Sequence, residues 1–353
     1  MNRAKPPPSC PLPGAAAGDG RITLAHGSGG RLSAELIERL VRRHFSNPAL
    51  DRLEDAATLP TTSGRLAFST DTFVVQPRFF PGGNIGELAV NGTVNDLAMM
   101  GARPRWLSVG FVLEEGFSLA ELEEICASMR QAADNAGVTI VTGDTKVVGR
   151  GGCDGLFINT AGIGVVPEGV DLGAHRLQAG DRLIVSGPIG SHGMAVMLAR
   201  GQLSFASEIA SDTAPLAGLA ADILRAAGSG LHAMRDATRG GLGAVLAEFG
   251  RAASLGMEIT EQRLPVQPDV QAACDILGLD PLFVANEGVL VAVVTPETVD
   301  AVLAACHAHP QGKHAACIGA VCAEHPGKLL RRTPFGGRQI VPIPAVELLP
   351  RIC

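Results

Sequence analysis

Tyrosine is missing from this sequence and tryptophan occurs once, at Trp106, so aromatic residues make up only 4% of it. Single-stranded nucleic acid is usually gripped by stacking on aromatic side chains, and little is available here to build such a platform. Positive charge is scarce too. The 29 Lys and Arg stand against 35 Asp and Glu, a net charge of −6, which disfavours a basic nucleic-acid face. No run approaches the roughly 18 uninterrupted apolar residues of a membrane span. Met1–Gly20 is broken by Pro6, Pro7, Pro8, Pro11 and Pro13 where the apolar centre of a signal peptide would lie. These absences predict a cytoplasmic protein without nucleic-acid or membrane partners. The eight cysteines include no CxxC pair, so neither a zinc knuckle nor a thioredoxin-type centre is signalled, and a disulfide framework does not suit such a chain.

What is present is length, apolar bulk and glycine. At roughly 100–200 residues per domain, 353 residues predict about two domains, and 46% apolar residues can fill two cores. Residues 1–20 are rich in Pro, Ala and Gly and read as disordered. Residues 33–45 read as an amphipathic helix capped by Ser33. Leu66–Thr70 reads as a strand ending in polar residues, and Asn84–Met100 as a helix opened by Asn84. Strand Leu107–Leu113 precedes a helix that Ser118 and Glu121 open and Gly137 stops, and strands Val138–Thr142 and Leu156–Val166 follow. A second series contains strand Arg182–Ser186, a helix from about His192, helices near 214–227 and 240–252, and strand Val289–Val294. The loop-like stretch Pro167–Gly180 divides the two series, each an α/β or α+β unit. Residues 341–353 read as an extended tail.

Carboxylates recur beside small or hydroxyl residues in Glu54–Ala57, Ser69–Thr72, Val94–Asp96, Thr142–Thr145 and Arg235–Thr238. One such Asp alone is equally a cap or turn residue. Five together suggest a carboxylate cluster, which needs a hard divalent cation to relieve its repulsion. Mg²⁺ takes one or two carboxylates and completes its shell with phosphate, so the cluster points to a nucleotide. Three glycine-rich turns could offer backbone N–H groups to phosphate: His26–Gly30, Ser186–Gly190 and Thr238–Gly243. None is a P-loop or a dinucleotide-binding fingerprint.

Lys146 lies two residues beyond Asp144, so on a strand both point the same way, and it reads as a phosphate ligand, a base or a surface lysine. Glu287, at the mouth of the apolar run Val289–Val294, is a candidate base or a turn residue. His307, His309, His314 and Cys317 have metal-like spacing but read as a solvated loop. Most cysteines read as small buried hydrophobes. Cys353 differs: as the final residue it has few neighbours unless the tail docks, which leaves a functional thiol open.

The sequence resembles the carbamoyl dehydratases of nickel–iron hydrogenase maturation, in the superfamily of aminoimidazole ribonucleotide synthetase and selenophosphate synthetase. The likeness spans about residues 21–353. It rests on His26-Gly-Ser-Gly-Gly30, Phe68-Ser-Thr-Asp-Thr-Phe73, Phe80-Pro-Gly-Gly-Asn-Ile-Gly86 and Gly92-Thr-Val-Asn-Asp-Leu97. It continues in Gly143-Asp-Thr-Lys-Val-Val148, Arg235-Asp-Ala-Thr-Arg-Gly-Gly241, Ala285-Asn-Glu-Gly288 and the terminal Pro350-Arg-Ile-Cys353. Glu54 stands where the superfamily often has Asp.

The resemblance implies a two-domain PurM-like α+β fold with α/β-type sheets. Residues 21–166 would form an ATP-binding domain that makes a homodimer through a shared β-barrel. Residues 167–345 would form a C-terminal α+β domain, and 346–353 a flexible tail carrying Cys353. ATP and Mg²⁺ would lie between the domains, with Asp55, Asp71, Asp96 and Asp144 on the metal. The nucleotide would meet Gly29, Gly30, Asp71, Thr72, Asn95, Asp96, Asp144, Asp236, Thr238, Arg239 and Gly240.

The implied reaction starts when a carbamoyltransferase partner, HypF, loads the thiol of Cys353. ATP then drives dehydration of the S-carbamoyl group to a thiocyanate, with Lys146 and Glu287 as proton acceptors. The cyanide passes to iron on a HypC–HypD scaffold. The rival readings are a selenophosphate or aminoimidazole ribonucleotide synthetase, which has no need of a terminal cysteine, and a non-enzymatic nucleotide-binding scaffold.

Overall fold

Gly30, not Ser33, opens the first helix of the computed structural model, which describes residues 20–28, 30–53, 56–60, 63–201, 208–345 and 349–353. The Ser33 hydroxyl turns back to the carbonyl of Ala25 at 3.3 Å, so it sits inside the helix rather than at its start. Helix α1 (Arg31–Leu36) widens into a π-helical stretch, Ile37–Arg42, and ends as α2 (Arg43–Phe45), burying Leu36, Leu40 and Phe45. The expectations for residues 1–19, Gly29 and Asp55 lie outside the described residues.

Strand β1 (Arg65–Phe73) is longer than its apolar pattern suggests, because pairing continues to the end of the strand. Asp71 and Thr72 therefore sit within β1 rather than beyond it. The short hairpin β2 (Phe79–Phe80) and β3 (Gly83–Asn84) leads into α3 (Ile85–Met99). Asn84 caps α3 by accepting the N–H groups of Gly86 and Glu87, as its position predicts. Strand β4 (Arg103–Glu114) is followed by α4 (Leu119–Ala136), capped by Ser118 and stopped by left-handed Gly137. Strands β5 (Thr139–Val148) and β6 (Leu156–Val166) complete the first series.

These strands form an open sheet in the order β1-β6-β4-β5, with only the β4–β5 pair parallel. Both β1 and β5 are edges among the described residues, whose strands close no barrel within one chain. Helix α3 lacks the one-sided pattern of a surface helix, because it is covered by this sheet on one side and by the second unit on the other. Nearly all of it is buried, and each of Leu88, Val90 and Val94 contributes roughly 1.5–3 kcal/mol on removal from water.

The second series runs β7 (Arg182–Val185), α5 (Ser191–Ala199), α6 (Ala217–Ala227), β8 (Leu231–Asp236), α7 (Gly241–Ala253), β9 (Gly256–Thr260) and α8 (Pro268–Leu277). It ends with β10 (Leu290–Val294), α9 (Val299–Ala308), β11 (Ala316–Cys322), β12 (Leu329–Arg332) and β13 (Arg338–Ile340). Its sheet has the order β13-β12-β9-β11-β7-β10-β8. Strand β8 is hidden in the sequence because His232 interrupts its apolar run. The structure buries that ring and satisfies it with Asp181 at 2.8 Å.

The end of the chain is docked rather than loose. Leu349 and Ile352 are buried in the same cluster as α3 and α5, and Val74 donates to the main-chain oxygen of Cys353 at 3.0 Å. No helix of the described residues is long and apolar enough to cross a membrane.

Candidate functional site

The crevice between the two units is acidic, and it is assembled from three places. Asp71 of β1 points toward α3, where a side chain added at Gly92 would stand 3.8 Å from its carboxylate. Asp96 projects from α3 and accepts the Ser69 hydroxyl at 2.6 Å. Asp236 ends β8, and its register partner Leu290 begins β10, so the turn Asn286–Val289 lies alongside it. Asn286 fixes that turn with bonds to the Ala237 carbonyl at 2.7 Å and the Gly190 N–H at 2.6 Å. Glu287 thereby reaches the crevice, 3% exposed, with its Oε1 unpartnered among the described residues.

Burial and mutual repulsion set the protonation of these groups. Desolvation raises Asp71, with Asp96 adding to it, although the Thr72 N–H pulls the other way. Burial likewise raises Asp96 against the Ser69 hydrogen bond. Asp236 is pushed up to about 7, mainly by burial and then by Asp96. Glu287 stands well above the usual range for a carboxyl, first from burial and then from Asp236, Asp212, Asp71 and Asp96.

Asp212 was not singled out in the sequence, because Ser211-Asp-Thr213 sits in a loop with no apolar frame around it. It is half-buried, and desolvation raises it to about 6 even though it accepts the N–H groups of Glu287, Gly288 and His192. It is the support on which the Glu287 turn rests. Asn95, expected on the nucleotide, spends its amide on main chain. It donates to Ala214 at 3.1 Å and Glu287 at 3.3 Å, and accepts from Leu216 at 2.7 Å. Beyond β8, Thr238 and half-buried Gly240 make the tight turn that opens α7, and exposed Arg239 lowers Asp71 through its charge.

Asp144 and Lys146 do not join this crevice within one chain. Register places Asp144 in a row with Gly110, Asn159 and Thr72, whereas Asp71 is in the neighbouring row with Thr160. Paired residues share a face and successive ones alternate. Asp71 therefore faces α3, while Thr72, Asp144 and Lys146 face outward. Lys146 Nζ lies 4.0 Å from Asp144 on that outer side. The His26–Ser28 turn lies against this strand, close enough that a side chain at Gly27 would meet the Val147 N–H at 2.7 Å. Turn and strand enclose a cavity of about 650 Å³. Gly30 is the cap of α1 and is not among the residues that line the cavity.

The last residues of the chain approach the crevice from the other side. Val74 and Gln76, just past β1, donate to the main-chain oxygens of Cys353 and Arg351. His192 reaches the Ile352 carbonyl at 2.8 Å, and its full burial pushes the ring down to about 4, so it is neutral at pH 7. The other candidates have ordinary surroundings. His307 bonds the Ala315 carbonyl, His309 caps Gln311, and the described residues contain no group of three or more potential metal ligands. Cys126, Cys274 and Cys306 are buried, which pushes their thiols up to about 12, 11 and 11.

Residues 53–166 match the family model of AIR synthase related protein, N-terminal domain, and residues 178–330 match that of its C-terminal domain. The fold thus belongs to the two-domain AIR synthase related, PurM-like class. Within that class, carbamoyl dehydratase HypE of Bradyrhizobium diazoefficiens is 52% identical over 335 residues, covering 95% of this chain and 97% of that protein. A crystal structure of hydrogenase maturation protein HypE in complex with ATP superposes with a TM-score of 0.90 at 46% identity, covering 94% of this chain and 100% of that one. A HypE–HypF complex gives a TM-score of 0.78 at 44% identity, covering 88% of this chain and 99% of that one. The chain belongs to the HypE family of carbamoyl dehydratases.

Proposed function

We propose that this chain is an ATP-dependent carbamoyl dehydratase of hydrogenase maturation. It converts an S-carbamoyl group on Cys353 to a thiocyanate and so supplies the cyanide ligand of the iron. The reading rests above all on the course of Leu349–Cys353, which brings the sulfur-bearing end of the chain alongside β1, two residues beyond Asp71–Thr72. A carbamoyl oxygen is a poor leaving group. Transfer of a phosphoryl group from ATP to it, with loss of one N–H proton, makes an imidate phosphate. Cleavage of the C–O bond with loss of the second N–H proton leaves the nitrile and inorganic phosphate. Glu287, buried and strongly proton-seeking once ionised, is the proton acceptor in this scheme.

The donor set suits Mg²⁺. It is all oxygen, burial raises Asp71, Asp96 and Asp236, the Asp96 charge adds to the rise of Asp71 and Asp236, and Glu287 keeps an unpartnered oxygen among the described residues. Asp71 and Asp96 would hold the ion, with nucleotide phosphate and water completing its shell. The ion would neutralise phosphate charge. Asp55 and Asp144 are kept as ligands in the proposal, although Asp144 lies across the sheet.

That separation bears on assembly. The outer face of the first sheet carries Phe68, Ile163, Phe157 and Val112 beside Lys146, with Leu66 61% and Phe68 70% exposed. A second copy covering this face would form the homodimer, and it would bring Lys146 and Asp144 to a crevice in which their own chain does not place them. The further partners are HypF, as carbamoyl donor, and the HypC–HypD scaffold as cyanide acceptor, all in the cytoplasm.

ATP turnover distinguishes the readings. Chain carbamoylated at Cys353 should consume ATP, while Cys353→Ala should not. Turnover independent of the carbamoyl group would favour a selenophosphate- or aminoimidazole ribonucleotide-type synthetase, and no turnover in either would favour a nucleotide-binding scaffold.

A further inference from the structure

Three carbonyls at the end of the chain are held by two side chains that the chemistry above does not use. His192, at the start of α5, contacts the Ile352 carbonyl through Nε2 at 2.8 Å and the Ser211 hydroxyl through Nδ1 at 2.8 Å. A carbonyl only accepts, so Nε2 carries the proton and Nδ1 accepts the Ser211 O–H. Ser211 Oγ in turn accepts the Thr213 N–H at 3.1 Å, which makes the chain of bonds directional. At the other end of α5, Arg200 donates to the carbonyls of Pro350 at 2.8 Å, Arg351 at 2.6 Å and Gln76 at 2.7 Å. The clasped residues run antiparallel to Val74–Gln76, in the manner of a strand added to a sheet edge. Arg351 is held there at φ 54°, a left-handed conformation that costs a non-glycine residue energy unless its surroundings impose it. Its guanidinium meets Asp154 at 2.5 Å and the Val74 carbonyl at 3.3 Å.

We propose that His192, oriented by Ser211, and Arg200 are positioning residues that clasp the terminal segment and hold Cys353 in place for dehydration. The inference rests on the dehydratase reading. Apart from Arg351, the contacts are made to main chain, so the clasp is indifferent to which side chains the tail carries. It is also tied to the acid. The loop residue after Ser211 is Asp212, whose carboxylate accepts the backbone N–H groups of both His192 and Glu287. Docking of the tail and placement of Glu287 thus share one loop.

The test reads the tail directly in full-length protein, without ATP or carbamoyl donor. Iodoacetamide labelling of Cys353, followed by peptide mapping, reports how often the tail leaves. Hydrogen exchange at Val74 and Gln76 reports the loss of its backbone pairing. His192→Leu, which removes one buried hydrogen bond, and Arg200→Ala, which removes two partly exposed ones, should each speed labelling about tenfold, and both amides should lose protection. His192→Gln, whose amide nitrogen can stand at the Nε2 position, should restore slow labelling, and His192→Asn, which is too short, should not. Wild-type labelling and exchange in the Leu and Ala variants, or Gln behaving as Leu, would overturn the clasp. Should His192→Leu fail to fold, half-buried Arg200→Ala decides by the same two readouts. A clasp that passes while wild-type protein never dehydrates its carbamoyl group would sink the dehydratase reading alone, and active dehydration with an unclasped tail would sink the clasp alone.

Discussion

Glu287 is where burial, charge and a free lone pair coincide, so its substitution separates the two halves of the proposed cycle. Glu287→Gln preserves shape and removes the proton acceptor. It should leave carbamoyl loading intact and slow dehydration by at least about 100-fold, measured as thiocyanate formed per loaded chain. Asp236 and Asp212 make a second residue-scale prediction. Their folded carboxyls titrate at about 7 and about 6 against an ordinary 3.8. A group with a raised folded pKa gives its full stabilisation below the unfolded value and loses it as pH rises through the folded one. Metal-free protein should therefore lose stability from about pH 4 to pH 7, and Asp236→Asn should flatten that slope in melting curves. Several of these residues were legible in the sequence, because Asp beside small residues at the end of an apolar run is a recognisable pattern. Asp212, His192 and Arg200 were not. Their partners are backbone atoms from distant segments, which leave no pattern in composition or spacing.

The turn Asn286–Val289 is the element on which the acid depends, and Gly288 sets its shape. A side chain there would stand 1.8 Å from the Asp212 carbonyl, so Gly288→Ala must displace the loop below it. The expected loss is about 1–3 kcal/mol in unfolding free energy, together with loss of dehydration. The terminal segment makes the complementary prediction. Residues appended after Cys353 should leave the fold intact but block nitrile formation, and unchanged thiocyanate yield in such a variant would contradict the docked geometry. Elements with caps were readable: Asn84, Ser118 and Gly137 mark their helix ends where the sequence places them. The strands were harder. β1 outruns its apolar pattern because backbone pairing continues through Asp71, and β8 is masked by a buried histidine whose partner, Asp181, lies 51 residues away.

For the whole molecule, the sequence motifs placed Asp144 and Lys146 with the other acids, and a single chain does not. Spacing along a strand tells which residues share a face, but not which face meets the second unit. If a second copy covers the outer face, the defects must complement. Lys146→Ala and Glu287→Gln, each inactive alone, should regain dehydration when mixed as dimers, because one of the two crevices is then intact. Mixtures that stay inactive would place both residues in one chain's site. Phe68→Glu should yield monomers by light scattering and abolish dehydration.

The most direct test of the central claim is intact-mass spectrometry of the full chain incubated with HypF, carbamoyl phosphate and ATP. The account predicts a carbamoyl adduct confined to Cys353 that then loses one water. An adduct on another residue, or one on Cys353 that keeps its water while ATP is consumed, would contradict it.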